Sequence, residues 1–175
     1  MLTVEGLHTA QSDKVVEMLT HIEETPLIIE IGTCRGGFSL LLRNAFPDAE
    51  IYTFDIADWQ PTQLKNDMFK KHKIFSCIED CFNSTLLNTL VKSDRKKMVF
   101  CDGGVKATEF NRFAPMINSG DIIGVHDYFE SRADHDPNIW TSCEVEFNQL
   151  NIDGKFKQVY KEESYSAVWG LFKKL

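Results

Sequence analysis

The segment Leu27-Ile28-Ile29-Glu30-Ile31-Gly32-Thr33-Cys34-Arg35-Gly36-Gly37 places an acid just ahead of a glycine-rich turn, and an amphipathic stretch from Phe38 to Phe46 follows. The apolar run has the length and β-branched content of a buried strand. Gly32, Gly36 and Gly37 permit a tight turn and a close approach of backbone to ligand. A second strand pattern, Glu50-Ile51-Tyr52-Thr53-Phe54-Asp55, ends in another acid, at the separation of about twenty residues at which an acid meets ribose hydroxyls in nucleoside-cofactor folds. Without a ligand, the same residues would make a glycine-containing βα turn and a solvated acid.

The glycine order separates the cofactors. A dinucleotide turn needs G-x-G-x-x-G so that a pyrophosphate can sit on a helix N-terminus. Here the order is Gly-x-x-x-Gly-Gly. With Glu30 it reads E-x-G-x-x-x-G, which resembles motif I of the class I S-adenosylmethionine (SAM)-dependent methyltransferases. SAM carries no phosphate; its amino-acid end is zwitterionic and its sulfonium positive, so an acid at Glu30 suits that charge directly or through water. The resemblance implies a SAM site formed by Glu30, Gly32, Thr33, Arg35, Gly36, Gly37 and Asp102, with Arg35 either facing the cofactor carboxylate or standing exposed at the helix start. It implies that Asp55, at motif II, accepts the ribose hydroxyls, that Ile56 lies beside the adenine, and that Ile78 and Glu79 contact the adenine edge.

A second resemblance lies in Met98-Val99-Phe100-Cys101-Asp102-Gly103-Gly104 together with Asp121-Ile122-Ile123-Gly124-Val125-His126-Asp127-Tyr128. This pair of turns is similar to those of small-molecule O-methyltransferases, near the cephalosporin-hydroxylase-like and sugar O-methyltransferase families. Some of these hold Mg²⁺ with acids at the two turns. Carried over, Asp102 and Asp127 would be oxygen ligands of Mg²⁺ or another divalent metal. His126 suits Mg²⁺ poorly, because that ion prefers carboxylates and water, whereas a softer metal tolerates imidazole. The family's base, a His or Lys, falls here on Val105, with Lys106 next to it. A lysine base would need its pKa lowered, so the candidate catalytic residues are His126 first, for its near-neutral pKa, then Asp102 and Lys106. The alternative for Lys106 is a solvated helix-start residue.

Ligands in doubly wound sheets bind beyond the carboxyl ends of the strands. Glu30, Asp55, Asp102, His126 and Asp127 all end strand patterns, and Glu79 and Asp80 follow another. These positions are expected to converge on one crevice. The ligand-rich stretch Ser131-Arg132-Ala133-Asp134-His135-Asp136-Pro137 reads as a solvated loop, or as a mobile wall over the substrate. Trp140 would stack on a substrate or anchor the last helix.

These residues need an alternating scaffold. Ser12 is a candidate cap for a helix carrying Val15, Met18, Leu19 and Ile22. Strands follow at 27–31, 50–55, 73–78, 98–101 and 121–126. Between them lie helices at 38–46, after Thr62 (with Leu64 and Met68 on one face), after Ser84 (with Leu86, Leu87, Leu90 and Val91) and at 107–118, where Pro115 should weaken the helix. A helix from Trp140 to Leu150 and a closing hairpin, 155–161 with 166–172, complete the pattern. Such alternation predicts an α/β, doubly wound, mostly parallel seven-stranded Rossmann-like methyltransferase sheet with an antiparallel edge strand, as one class I methyltransferase domain over 1–175.

The 175 residues, 43% apolar and 26% charged, suit one globular domain. A net charge of −7 and no basic block longer than Arg95-Lys96-Lys97 weigh against a nucleic-acid partner. Cys34, Cys77, Cys81, Cys101 and Cys143 are odd in number and include no C-x-x-C pair, which fits a reducing cytoplasm. No signal peptide or membrane-length apolar run is visible. The expectation is SAM-dependent methyl transfer to a hydroxyl of a small-molecule acceptor, with metal assistance and a homodimer completing the acceptor pocket left open. The alternatives are a SAM- or nucleoside-binding module without catalysis, an N- or nucleic-acid methyltransferase, and a nicotinamide oxidoreductase, which the glycine order disfavours.

Overall fold

Apolar runs ending in turn residues pair laterally, and in the computed structural model they build one seven-stranded sheet. The structure describes residues 2–11, 14–23, 25–59, 61–131, 144–161 and 169–175. Its strands are β3 (Leu27–Ile31), β4 (Glu50–Asp55), β5 (Ile74–Ile78), β6 (Lys97–Cys101), β7 (Ile122–His126), β10 (Phe156–Lys161) and β11 (Trp169–Lys174). The order is β10-β11-β7-β6-β3-β4-β5. The five strands from β7 to β5 are parallel, whereas β11 runs antiparallel to β7 and β10 antiparallel to β11. The predicted doubly wound sheet with an antiparallel edge is therefore present.

Both faces are covered, which is why the central strands read as continuous apolar runs. On one face α4 (Thr85–Lys92) and α5 (Lys106–Phe113) bury Leu87, Val91, Phe110 and Phe113 against Ile29, Val99 and Ile123. On the other, α1 (Val15–Thr20), α2 (Gly37–Ala45) and α3 (Gln63–Lys71) bury Val15, Met18, Leu40 and Phe69 against Ile28, Ile51 and Met98. Thr62 and Ser84 cap α3 and α4 as expected, each accepting a backbone N–H three residues on. At the amino ends of β6 and β7, the Lys97 ammonium lies 2.6 Å from Asp121, both side chains fully buried.

Several elements differ from the sequence expectation. The helix over 107–118 ends at Phe113 and gives way to a 3-10 turn, Ala114–Met116, because Pro115 has no N–H to continue the ladder. In α3 the buried residues are Lys65 and Phe69, while Leu64 is exposed. From Val145 onward the expected helix is replaced by a short strand β9 (Val145–Glu146), paired with β8 (Tyr128–Phe129), and a 3-10 turn, Phe147–Gln149. Leu2–Val4 and Leu7–Thr9, strands β1 and β2, form an N-terminal hairpin about Glu5-Gly6, both at positive φ (45° and 88°). Ser12, Trp140, Cys143, residues 132–137 of the acidic loop and 166–168 of the last strand lie outside the described residues.

Candidate active site

Gly32 leaves β3 at φ +103°, and a Cβ there would lie 2.2 Å from the Asp102 carbonyl oxygen. Only glycine lets the turns after β3 and β6 touch. The chain then passes through Thr33, Cys34 and Arg35 to Gly36, which caps α2. A Cβ on Gly37 would meet the His8 carbonyl at 2.5 Å, so the N-terminal hairpin packs directly on the start of α2. Thr33 is held by a 2.6 Å hydrogen bond between its Oγ1 and that of Thr53.

Glu30 points from β3 toward α2 and is fully buried. Ser39 Oγ donates to its Oε2 at 2.5 Å, while Oε1 has no hydrogen-bond partner. Burial pushes this carboxyl up to about 8, with the negative charges of Asp102 and Asp55 adding to the rise and the hydrogen bond from Ser39 and the nearby Thr53 hydroxyl opposing it. Asp55, ending β4, accepts the Cys34 N–H on Oδ2 (2.9 Å) and the Trp59 indole N–H on Oδ1 (2.7 Å).

Asp102 ends β6. Its Oδ2 accepts from Gln11 Nε2 at 2.9 Å, and its Oδ1 lies 2.8 Å from His126 Nδ1. Gln11 in turn accepts the Trp169 indole N–H at 2.6 Å, and Trp169 packs on the His126 ring with centroids 4.9 Å apart. Burial lowers the His126 pKa, but the charge of Asp102, its hydrogen bond and the nearby Asp127 outweigh that, and the net shift is upward. Asp127, at φ +55°, lies 3.0 Å from the Lys106 ammonium through Oδ2. Glu109 accepts the N–H groups of Gly103 and Val105, both at 3.2 Å, and so fixes the turn after β6. Burial raises its carboxyl to about 7.

Two cavities open beyond the carboxyl ends of the strands and share Gly32, Cys34 and Asp102. The larger, about 450 Å³, is bordered by Asp55, Ile56, Trp59, Glu79 and Glu109. The smaller, about 240 Å³, is bordered by Gln11, Glu30, Thr33, Arg35 and Gly37. The structure thus gathers Glu30, the glycine turn, Arg35, Asp55, Ile56, Glu79 and Asp102 around one crevice. Ile78 is exposed and borders neither cavity. His126, Lys106 and Asp127 also stand outside both linings: His126 backs Asp102, and Lys106 is buried against Asp127 rather than solvated. Sequence reasoning missed Gln11, Trp59, Glu109 and Trp169. Their partners are distant in the chain or, for Trp59 and Glu109, four to six residues away across a turn, where residue type alone gives no direction.

The residues at the two turns do not fit a divalent metal. Asp127 faces the Lys106 ammonium, and Asp102 is engaged by Gln11 and His126, whose Nδ1 also lies 3.4 Å from Asp127. Among the described residues no group of three His, Cys, Asp or Glu is arranged to hold a metal ion. An adenosyl sulfonium, by contrast, fits: the crevice offers two joined cavities, the Asp55 carboxylate on the larger, and on the smaller a buried Glu30 carboxyl oxygen without a partner, with Arg35 in the same lining.

No protein-family model matches the chain, and no curated protein matches it in sequence. Solved structures do. An O-methyltransferase family protein from Burkholderia thailandensis is 7% identical with a TM-score of 0.63, over 91% of this chain and 55% of its own. The O-methyltransferase TomG from Streptomyces achromogenes, solved with SAM, is 17% identical with a TM-score of 0.62, over 92% and 78%. A precorrin-6y C5,15-methyltransferase from Geobacter metallireducens is 13% identical with a TM-score of 0.56, over 99% and 94%. The chain spans just over half the length of three of the structures that it matches. No described helix is long and apolar enough to cross a membrane. Strand order, antiparallel edge and structural likeness together give this chain the fold of the class I SAM-dependent methyltransferases.

Proposed function

We propose that the protein binds SAM across the two joined cavities and transfers its methyl group to a hydroxyl of a small molecule. The observation that carries this reading is the junction at Gly32 and Asp102, with an adenosine-sized, acid-bordered cavity on one side and a charged, narrower one on the other. When bound, SAM supplies a methyl group already activated on a sulfonium, so alignment is the protein's main task.

Asp55 holds the ribose hydroxyls; a carboxylate has about four acceptor sites, and the Cys34 amide and Trp59 indole use two. Ile56 and Trp59 give the base apolar surface. Arg35 faces the cofactor carboxylate, and the Glu30 carboxyl receives the amino group through its unpartnered Oε1. Asp102, at the junction, accepts the hydrogen bond of the acceptor hydroxyl and draws its proton. His126 holds Asp102 from behind and is a positioning residue. Lys106 and Asp127 brace it in turn. The acceptor class rests on the similarity of the Asp102 and His126-Asp127 turns to small-molecule O-methyltransferases, and the net charge of −7 favours a small acceptor over a nucleic acid. A cytoplasmic location is consistent with the unpaired thiols.

One observation favours a second reading, a SAM-binding module without turnover. Val105, where the family's His or Lys would stand, is half exposed, while Lys106 and His126 are buried and line neither cavity. The deciding experiment is calorimetric titration with S-adenosylhomocysteine on wild type and Asp55→Ala, followed by methyl transfer from labelled SAM to a panel of hydroxylated acceptors with and without EDTA. We expect binding that Asp55→Ala weakens at least about tenfold, a loss of about 1.4 kcal/mol, and transfer indifferent to EDTA. Binding without transfer would select the second reading, and no binding by folded wild type would end both.

A further inference from the structure

The sheet has two edges, and they are built differently. Exposed edge strands invite pairing with another chain, and proteins block this with lysines and bulges. The β10 edge has both devices: Lys157 and Lys161 are exposed, and its register shifts between Gln158 and Tyr160. The β5 edge has neither. Its sequence, Ile74-Phe75-Ser76-Cys77-Ile78, carries no charge and no proline, pairs with β4 in unbroken register, and leaves Phe75 (48%) and Ile78 (53%) exposed.

The free side of β5 matches itself. Glu79 donates its N–H to the Asp55 carbonyl at 2.9 Å. Strand alternation then turns the amides and carbonyls of Cys77 and Phe75 toward β4, and those of Ile74, Ser76 and Ile78 outward. An antiparallel pairing with a second β5, centred on Ser76, sets Ser76 opposite Ser76 and Ile74 opposite Ile78 as hydrogen-bonded pairs. All of the outward groups are then used. The same register places Phe75 against Cys77, covering the exposed ring, and brings Lys73, in the turn that enters the strand at φ +53°, toward Glu79, just past its end, on the second copy; these flanking charges are opposite only in an antiparallel pairing.

We propose that the β5 edge is a homodimer interface, joining two copies into one continuous sheet through antiparallel β5 pairing about Ser76. The inference does not rest on the proposed methyl transfer: Glu79 alone also borders the larger cavity, and Lys73→Glu and Ser76→Pro test the pairing at residues outside the crevice. The test is sedimentation velocity of the full chain over a concentration series. Wild type is expected to dimerise reversibly. Lys73→Glu should raise the dissociation constant about tenfold or more, because like charges then meet at both ends. Lys73→Glu combined with Glu79→Lys should restore it to within about threefold of wild type. Ser76→Pro removes the central outward N–H at an edge position where proline is tolerated, and should leave a monomer with an unchanged circular dichroism spectrum. A wild type that stays monomeric at every concentration overturns the proposal, as does a dimer that Lys73→Glu leaves intact. If Ser76→Pro fails to fold, the charge swap still decides.

Discussion

Glu30 shows how one buried carboxyl links stability to ligand. Its pKa stands near 8 in the folded protein against an ordinary 4.5. Between those values the folded state binds the extra proton, so stability is greatest at the acid end and declines as pH rises through the window. The slope approaches about 1.4 kcal/mol per pH unit for one such group. Glu109, raised to about 7, has the same sign. Urea denaturation from pH 5 to 8 should therefore show falling stability, and Glu30→Gln, which keeps an acceptor for Ser39, should flatten most of that fall. An unchanged slope would mean that Glu30 is not the group responsible. Trp59 makes a separate prediction. Its indole takes one acceptor site of Asp55 beside those left for the ribose, so Trp59→Phe, which keeps the ring and frees that site, should bind S-adenosylhomocysteine at least as tightly as wild type in a calorimetric titration.

At the level of elements, the central strands and the glycine turn were legible because their signals are local. A buried parallel strand is a run of apolar residues, and Gly32 marks a backbone contact. Other features depended on partners far along the chain. The N-terminal hairpin escaped notice although Glu5-Gly6 is its turn signal, since three-residue strands carry too little periodicity. Val145–Glu146 became a strand by pairing with Tyr128–Phe129, which no helical periodicity around it foretold. The direction of His126 was equally hidden: its imidazole is held between Asp102 and the Trp169 ring and lines neither cavity. The contact between hairpin and α2 can be tested. Gly37→Ala would drive a methyl group into the His8 carbonyl, with backbone on both sides. Overpacking of this kind costs about 1–3 kcal/mol, and displacement of Gln11 should also weaken S-adenosylhomocysteine binding. Thermal melting and titration of that variant measure the two effects.

At the scale of the whole molecule, one stabilising pair stands apart from the ligand crevice along the strand axis. The crevice lies at the carboxyl ends, and the Lys97–Asp121 pair at the amino ends. Breaking a buried pair leaves an uncompensated charge and costs about 3–5 kcal/mol. Asp121→Ala should lose stability on that scale in denaturant titration while the folded fraction binds S-adenosylhomocysteine as wild type does. A change in affinity would show that the two ends are coupled through β6 and β7.

The bridge from Trp169 through Gln11 to Asp102 joins residues 158 and 91 positions apart in the chain. During synthesis the glycine turn, Asp55 and Asp102 emerge first, and Trp169 follows only after α5, β7 and β10 have been made. A chain made only as far as Asp102 therefore carries its motifs without a finished crevice, and competence for ligand arrives with β11.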